Sequence, residues 1–409
     1  MKNLKLNLYL EDNPLKIKNF RLFIIGHFLS FTGSWVQNIA QIWLVYELTW
    51  SSLYLGIFSF FSSFPTLFLT FIAGIFIDLF DRKKTLSIIA FLSIFPPLIL
   101  GFLTQLKLVT FWHITFLAFL SGCLAALDTP LRQVFISEIV PIKFLTKAIS
   151  FQSLSFNTAR VLGPFLAGLI ISYRNLYECF YLNALSFIPF LFFLTFFIKT
   201  QKQKKFRKIK KEEIRRSFKE VYKFLKKEKN ILTIIFSVGI FTIFGPSVMI
   251  LLPLIVHQLH GGGGKEFGFL FSTLGIGAIS GASSVIFRKP IEDKVKHLFK
   301  ATLLLSVGLL GLNFIKNWYL TLIFCFLIGF SFTNFFPVAN SYLQENTPDY
   351  LRGRIISLFI VSFLGMYPIG SFVAGFLADK INLHIVILIY VIFLVSINTY
   401  LLVFKFSRT

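Results

Sequence analysis

Residues 138–168 read EIVPIKFLTKAISFQSLSFNTARVLGPFLAG, and residues 345–375 read ENTPDYLRGRIISLFIVSFLGMYPIGSFVAG. At a fixed offset of 207 residues, Glu138, Pro141, Lys147, Ile149, Ser150, Gly163, Ala167 and Gly168 fall on Glu345, Pro348, Arg354, Ile356, Ser357, Gly370, Ala374 and Gly375. That offset is about half of the 409-residue chain. Both copies lie among apolar stretches of the length that crosses a bilayer, about 20 residues each. Duplicated halves are a common plan among secondary transporters, with the substrate site expected where the halves meet.

Composition agrees with a membrane location. Hydrophobic residues make up 56% and charged residues 14% of the chain, and the mean hydropathy is +0.75. A soluble domain cannot hide that much apolar surface, whereas a multi-pass membrane protein has no need to. The 55 phenylalanines are explained as well by compositional bias as by lipid contact. Cys123, Cys179 and Cys325 all sit in apolar segments without paired spacing, so neither a disulfide framework nor a metal cluster is expected. A polar N-terminal stretch runs straight into a long apolar segment, which is expected to act as its own insertion signal.

Twelve spans emerge, at about 20–46, 52–78, 85–104, 108–130, 147–172, 177–198, 231–256, 267–287, 297–314, 318–340, 355–378 and 384–404. The expected fold is therefore an all-α membrane protein of twelve transmembrane helices in two pseudo-symmetric six-helix halves. The halves are residues 1–198 and 231–409, joined by a basic linker at 199–230. With both termini in the cytoplasm, 35 Lys and Arg fall inside, 5 outside, and Arg160 within the membrane. This positive-inside bias accounts for the net charge of +23 without any nucleic acid. The linker carries an apolar stripe of Ile209, Ile214, Phe218, Val221, Tyr222 and Leu225. It is expected to form an amphipathic helix on the inner surface of the cell's inner (cytoplasmic) membrane.

Enzyme chemistry finds little support. Gly261–Gly264 and Lys265 superficially suggest a phosphate loop, but Glu266 follows and no strand precedes, so an outer turn is the expected reading. Paired catalytic carboxylates, a nucleophile elbow and His or Cys clusters are missing from the sequence, and no cofactor or metal is expected.

The stretch Gly74-Ile-Phe-Ile-Asp78-Leu-Phe-Asp81-Arg82-Lys83-Lys84 resembles the signature between helices 2 and 3 of the major facilitator superfamily. Gly74, Asp78, Arg82 and Lys83 match it, while Leu79 replaces a basic residue and Asp81 a glycine. The resemblance implies that Asp78 faces the start of helix 11 near Arg352-Gly353-Arg354, where the helix dipole favours an anion. The Asp-Arg-Lys-Lys form is similar to the branch of enterobactin and macrolide exporters, the transmembrane secretion effectors. Residues 19–35, 43–49 and 153–170 are similar to the same branch. Ala159, Gly163, Pro164, Ala167 and Gly168 resemble the helix 5 pattern of antiporters, although ordinary tight packing of small residues gives the same pattern. The basic helix 4 residue of many proton-coupled drug exporters is replaced by Ala118.

Arg160 lies about 20 Å into span five at 1.5 Å per residue, where an ionisable group needs a partner. Mirrored depth about the turn near residue 144 points to Asp128 as that partner, with Arg132 as a local competitor at i+4. Asp128 is then a candidate protonation site, and a purely structural clamp is the equal alternative. Gln37, Gln41, Asn157, Asn334 and Asn340 complete the candidate substrate and proton pathway, with interhelical hydrogen bonding as the plainer role for each. His27 and His257 have no obvious partner and read as interfacial. The resulting expectation is a monomeric proton-driven exporter of an amphipathic small molecule: drug, siderophore or metabolite. A facilitator or importer on the same fold remains open, as does a non-transporting membrane scaffold or sensor.

Overall fold

The computed structural model describes residues 13–79, 81–199, 220–287 and 291–401, without the side chains of 67, 70–79, 286, 287 and 349. Among the described residues the chain is helical, with no strand. Inside a bilayer no water is available to backbone N–H and C=O groups, so each apolar segment satisfies them internally by coiling into a helix. Six helices precede the linker: α1 (Lys18–Thr49), α2 (Ser52–Leu79), α3 (Arg82–Gln105), α4 (Phe111–Ile139), α5 (Leu145–Tyr173) and α6 (Leu176–Phe197). Six follow it: α7 (Lys229–His260), α8 (Gly264–Phe287), α9 (Lys294–Phe314), α10 (Trp318–Glu345), α11 (Tyr350–Lys380) and α12 (Leu383–Thr399). Among the described residues each overlaps one of the stretches marked by hydropathy. Among the described residues, nine helical segments are long and apolar enough to cross a membrane. The other three positions belong to α1, α2 and the 17-residue α12.

Breaks in these rods have local causes. α3 is interrupted at Ser93–Ile94, just before Pro96 and Pro97, whose rings and missing N–H groups disfavour the preceding turn. α7 breaks at Gly245 (φ −114°, ψ −89°) and continues through a 3₁₀ stretch beginning at Pro246. α7 ends at Gly261, whose φ of +58° is the left-handed value a glycine adopts without strain. In the turn beyond, the Gly263 N–H donates to Glu266 Oε2 at 2.8 Å. The turn's own carboxylate thus takes a loop N–H, consistent with a connection rather than a phosphate cradle.

The helices gather into two compact units. The first comprises the described residues of Met1–Leu44 and Pro65–Phe206, the second those of Val45–Phe64 and Arg207–Thr409. Residues 45–64 group with the second unit because Gly56 on α2 meets α11. A Cβ on Gly56 would lie 3.2 Å from Gly375 Cα, and one on Gly375 would lie 2.8 Å from Gly56 Cα. In the first unit, Phe20 and Phe23 of α1, Leu86 of α3, Phe135 of α4 and Phe190 of α6 form a fully buried cluster. Lipid is as apolar as these side chains, so the cluster holds through close packing rather than water exclusion.

The sequence repeat is a repeat of packing. Gly163 brings α5 against α1, where an added Cβ would lie 3.1 Å from Thr32 O and 3.2 Å from Val36 N. Its counterpart Gly370 brings α11 against α7, where a Cβ would lie 2.7 Å from Ile243 O. Ala167 and Ala374 are both fully buried one turn further on. Each half therefore docks its fifth helix on its first through the same small residues.

The tightest glycine contacts join α8 to α10. A Cβ on Gly329 would lie 2.7 Å from the Leu274 carbonyl carbon, and one on Gly277 would lie 2.8 Å from that of Phe326. Both obstacles are backbone and cannot rotate away. Gly329→Val is expected to lower the melting temperature of the detergent-purified protein sharply or abolish its accumulation. Gly353→Ala, on α11 with nothing within 4 Å of a new Cβ, is expected to leave it unchanged or raise it, by up to about 1 kcal/mol of helix propensity.

Candidate functional site

The polar centre of the first unit is a buried guanidinium. Arg132, 1% exposed, projects from α4 into the contact with α1 and α6. Its Nε lies 2.6 Å from Asp128 Oδ2, one turn earlier on the same helix. Its Nη1 donates to Ser30 Oγ at 3.0 Å and lies 3.2 Å from His27 Nδ1. The guanidinium carbon sits 3.8 Å from the Phe190 ring centroid and 5.2 Å from that of Phe31. A desolvated cation over aromatic faces gains about 2 kcal/mol. Asp128 Oδ1 is buried and has no hydrogen-bond partner among the described residues.

This arrangement corrects the expected Asp128–Arg160 pair. Asp128 is taken by Arg132, because an i,i+4 pair on one helix forms without any alignment between helices. Arg160 keeps a buried Nε with no hydrogen-bond partner among the described residues. The interfacial reading of His27 is corrected too: it is 2% exposed and bonded to Arg132. His257 instead packs its ring against Trp50 and Tyr46, at 4.8 and 5.9 Å between centroids.

A cavity of about 230 Å³ adjoins the guanidinium between α1, α4 and α5. Its wall includes His27, Phe31, Thr129, Arg132, Gln133, Gln152, Ser153, Phe156 and Asn157. Asn157 was expected on the pathway; its Nδ2 donates to Ser153 O at 2.8 Å. Gln133 and Gln152 escaped sequence reasoning, since polar residues near span ends carry no distinguishing mark. His27 escaped because its partner lies 105 residues away.

The remaining candidates are dispersed. Gln37 accepts from Asn183 Nδ2 of α6 at 2.5 Å, while Gln41 is buried with its Nε2 unpartnered among the described residues. In the second unit Asn334 on α10 lies 3.2 Å from His297 Nε2 of α9, and Asn340 accepts from Gln344 at 3.3 Å. Ala159, Gly163, Pro164, Ala167 and Gly168 are all buried, and Ala118 is buried in α4.

At the α3–α4 end of the first unit, Arg82 Nη1 lies 2.7 Å from Glu138 Oε1, with side chains 7% and 10% exposed. Lys83 Nζ donates to Thr195 O at 3.4 Å. The side chains of Gly74 and Asp78 lie outside those described. Glu345, the repeat partner of Glu138, pairs with Lys294 of α9. Asp81 and Asp293 cap the helices that begin with these cations, each accepting a backbone N–H at 2.8 Å. Sequence comparison at an offset of 207 missed Asp293 and Lys294, which match Asp81 and Arg82 only at 212. Most of the linker lies outside the described residues, but Glu220 at its end pairs with Arg354 Nη1 at 2.8 Å.

Residues 12–409 match the transmembrane secretion effector family. The chain belongs to that family of major facilitator transporters. Among its relatives, the staphyloferrin A transporter of Staphylococcus aureus is 28% identical over 88% of this chain and 89% of its own. The multidrug efflux pump Tap of Mycolicibacterium fortuitum is 23% identical over 89% and 90%. Solved structures share the fold at low identity. A point mutant of the nucleoside transporter NupG aligns with a TM-score of 0.75 at 12% identity, over 94% of this chain and 99% of its own. A bacterial homologue of ferroportin aligns at 0.72 and 16%, over 97% and 100%. This secretion effector homologue is thus a multi-pass membrane transporter and not an enzyme.

The duplicated ion pairs differ in burial, and their contributions should differ. Removing one partner of a buried pair costs about 3–5 kcal/mol, whereas an exposed pair contributes about 0–1 kcal/mol. Glu345 is 59% exposed. Glu138→Gln is expected to lower resistance to unfolding markedly, and Glu345→Gln hardly at all, in detergent-titrated circular dichroism.

Proposed function

We propose that the protein exports an amphipathic small molecule by alternating access, driven by inward proton flow, with both termini in the cytoplasm of the cell's inner membrane. The observation that carries the coupling is the bare Oδ1 of Asp128, buried beside the Arg132 cation, whose side chain reaches the cavity wall. A proton arriving there cancels the carboxylate charge and frees Arg132 from its closest counter-ion. Arg132 on α4 is the charged group paired with this carboxylate, and His27 on α1 contacts that same guanidinium. A buried acid in a membrane helix marks a proton or solute path by default. The pathway is proposed to run past Asp128, Asn157 and Arg160, with Gln37 and Gln41 along α1, and past Asn334 and Asn340 along α10. Outward direction rests on the drug efflux relative and on the small residues around Gly163-Pro164. A facilitator on the same fold differs in one respect: its solute moves without proton flux.

Everted vesicles carrying the protein, acid-loaded inside, with a pH dye reporting proton release, separate these readings. Catechol siderophores, macrolides and cationic dyes are added in turn. One class is expected to cause alkalinisation of the lumen that Asp128→Asn abolishes and Asp128→Glu partly keeps. Solute movement without any pH change would overturn proton coupling.

A further inference from the structure

In the wall of the cavity between α1, α4 and α5, His27 presents a buried ring nitrogen that no protein group takes among the described residues, and Arg160 stands one turn beyond that wall with its Nε likewise unpartnered. We infer that the cavity holds the carboxylate end of an anionic amphiphile, with Arg160 and the His27 Nε2–H as the receiving donors. This rests on the proposed role as a small-molecule transporter and names the class of its cargo.

Charge comes first. Among the described residues, Asp128, Arg132 and Arg160 are the ionised side chains in the membrane interior of α4 and α5. Asp128 pairs with Arg132, which leaves one positive charge uncompensated at Arg160. No carboxylate lines the cavity. An uncompensated cation inside a membrane bundle is costly, and it persists where a counter-ion visits.

Direction follows from helix geometry. Ser153, Asn157 and Arg160 share one face of α5 at i, i+4 and i+7. Ser153 and Asn157 line the cavity, and Arg160 stands about 4.5 Å further along the axis. Helical side chains lean toward the helix N-terminus, so the Asn157 turn lies on the side toward which Arg160 inclines, although Arg160 does not itself form the cavity wall. Its Nε is buried without a hydrogen-bond partner among the described residues.

The histidine tautomer is fixed by the same neighbours. A guanidinium can only donate, so His27 Nδ1, 3.2 Å from Arg132 Nη1, must accept. The imidazole proton then sits on Nε2, which is buried and also unpartnered among the described residues. One orphaned donor in the cavity wall and a second one turn beyond it favour an anion over a cation. The volume, about 230 Å³, is below the usual range for a whole drug-sized ligand of about 300–1,000 Å³, so the cavity suits a head group. Phe31 and Phe156, edge-to-face at 5.2 Å, supply the apolar side for the rest of the molecule.

Fluorescein and rhodamine 123 share a three-ring skeleton but carry opposite charge, which makes them the probe pair. Fluorescence polarisation with the full detergent-purified chain is expected to show fluorescein binding at least ten-fold tighter than rhodamine 123. Arg160→Gln should weaken fluorescein by about ten- to hundred-fold, the range of one lost charge-assisted hydrogen bond, and Arg160→Lys should recover part of the loss. Since Arg160 has no ion-pair partner to lose among the described residues, Arg160→Gln should melt no lower than the native chain, and fluorescein should raise only the native melting temperature. Absence of fluorescein binding, equal binding of both dyes, unchanged affinity in Arg160→Gln, or a marked fall in its melting temperature would each overturn the inference. The measurement needs no gradient. A failure of proton-coupled export in vesicles would therefore leave it standing, and its own failure would leave export untouched.

Discussion

The first unit is organised around keeping the Arg132 charge out of water. Moving an ion from water to a protein interior costs several kcal/mol even after relaxation. Every element near Arg132 offsets part of that cost: Asp128 by charge, Ser30 and His27 by hydrogen bonds, Phe190 and Phe31 by their ring faces. These partners come from α1, α4 and α6, so the guanidinium ties three helices together where lipid-like side chains alone would let them slide. It also fixes the His27 tautomer and engages only one oxygen of Asp128. A bare carboxylate oxygen and a bare imidazole nitrogen thus accompany the pairing of one cation.

Duplication supplies the frame for this centre. The same glycine brings α5 onto α1 and α11 onto α7, and the same acid ties α4 to α3 and α10 to α9. The polar centre itself is not duplicated. The position matching Asp128 at the repeat offset is Phe335, and that matching Arg132 is Ala339, both buried and apolar. Phe335 instead stacks on Phe241 of α7 with centroids 3.7 Å apart. Among the described residues the two halves share helix packing and differ in chemistry, with the Asp128–Arg132 centre in the first.

How much of this was legible in the sequence depends on whether each feature is local. Helix positions followed from hydropathy because bilayer thickness sets segment length. Small residues at Gly163 and Gly370 were visible because close backbone approach demands them in both halves. The partner of Asp128 was misread because mirrored depth in two helices says nothing about their rotation about their own axes, whereas the i+4 arginine needs no such match. The partner of His27 was unreadable, since it lies 105 residues away across a helix contact. The Asp293–Lys294 copy of Asp81–Arg82 was hidden because the stretch from Arg82 to Glu138 is five residues longer than that from Lys294 to Glu345, in the helix and in the connection after it.

A pair of double-mutant cycles tests the choice of partner on which the account rests. Unfolding free energies are measured for Asp128→Asn and Arg132→Gln singly and together, then for Asp128→Asn with Arg160→Gln. Residues in contact couple by about 0.5–3 kcal/mol and separated ones by less than about 0.5 kcal/mol. The account predicts coupling in the contact range between Asp128 and Arg132 and near zero between Asp128 and Arg160. Strong coupling to Arg160 with none to Arg132 would contradict it, returning the carboxylate to the helix-to-helix clamp and leaving Arg160 no free charge to offer a substrate.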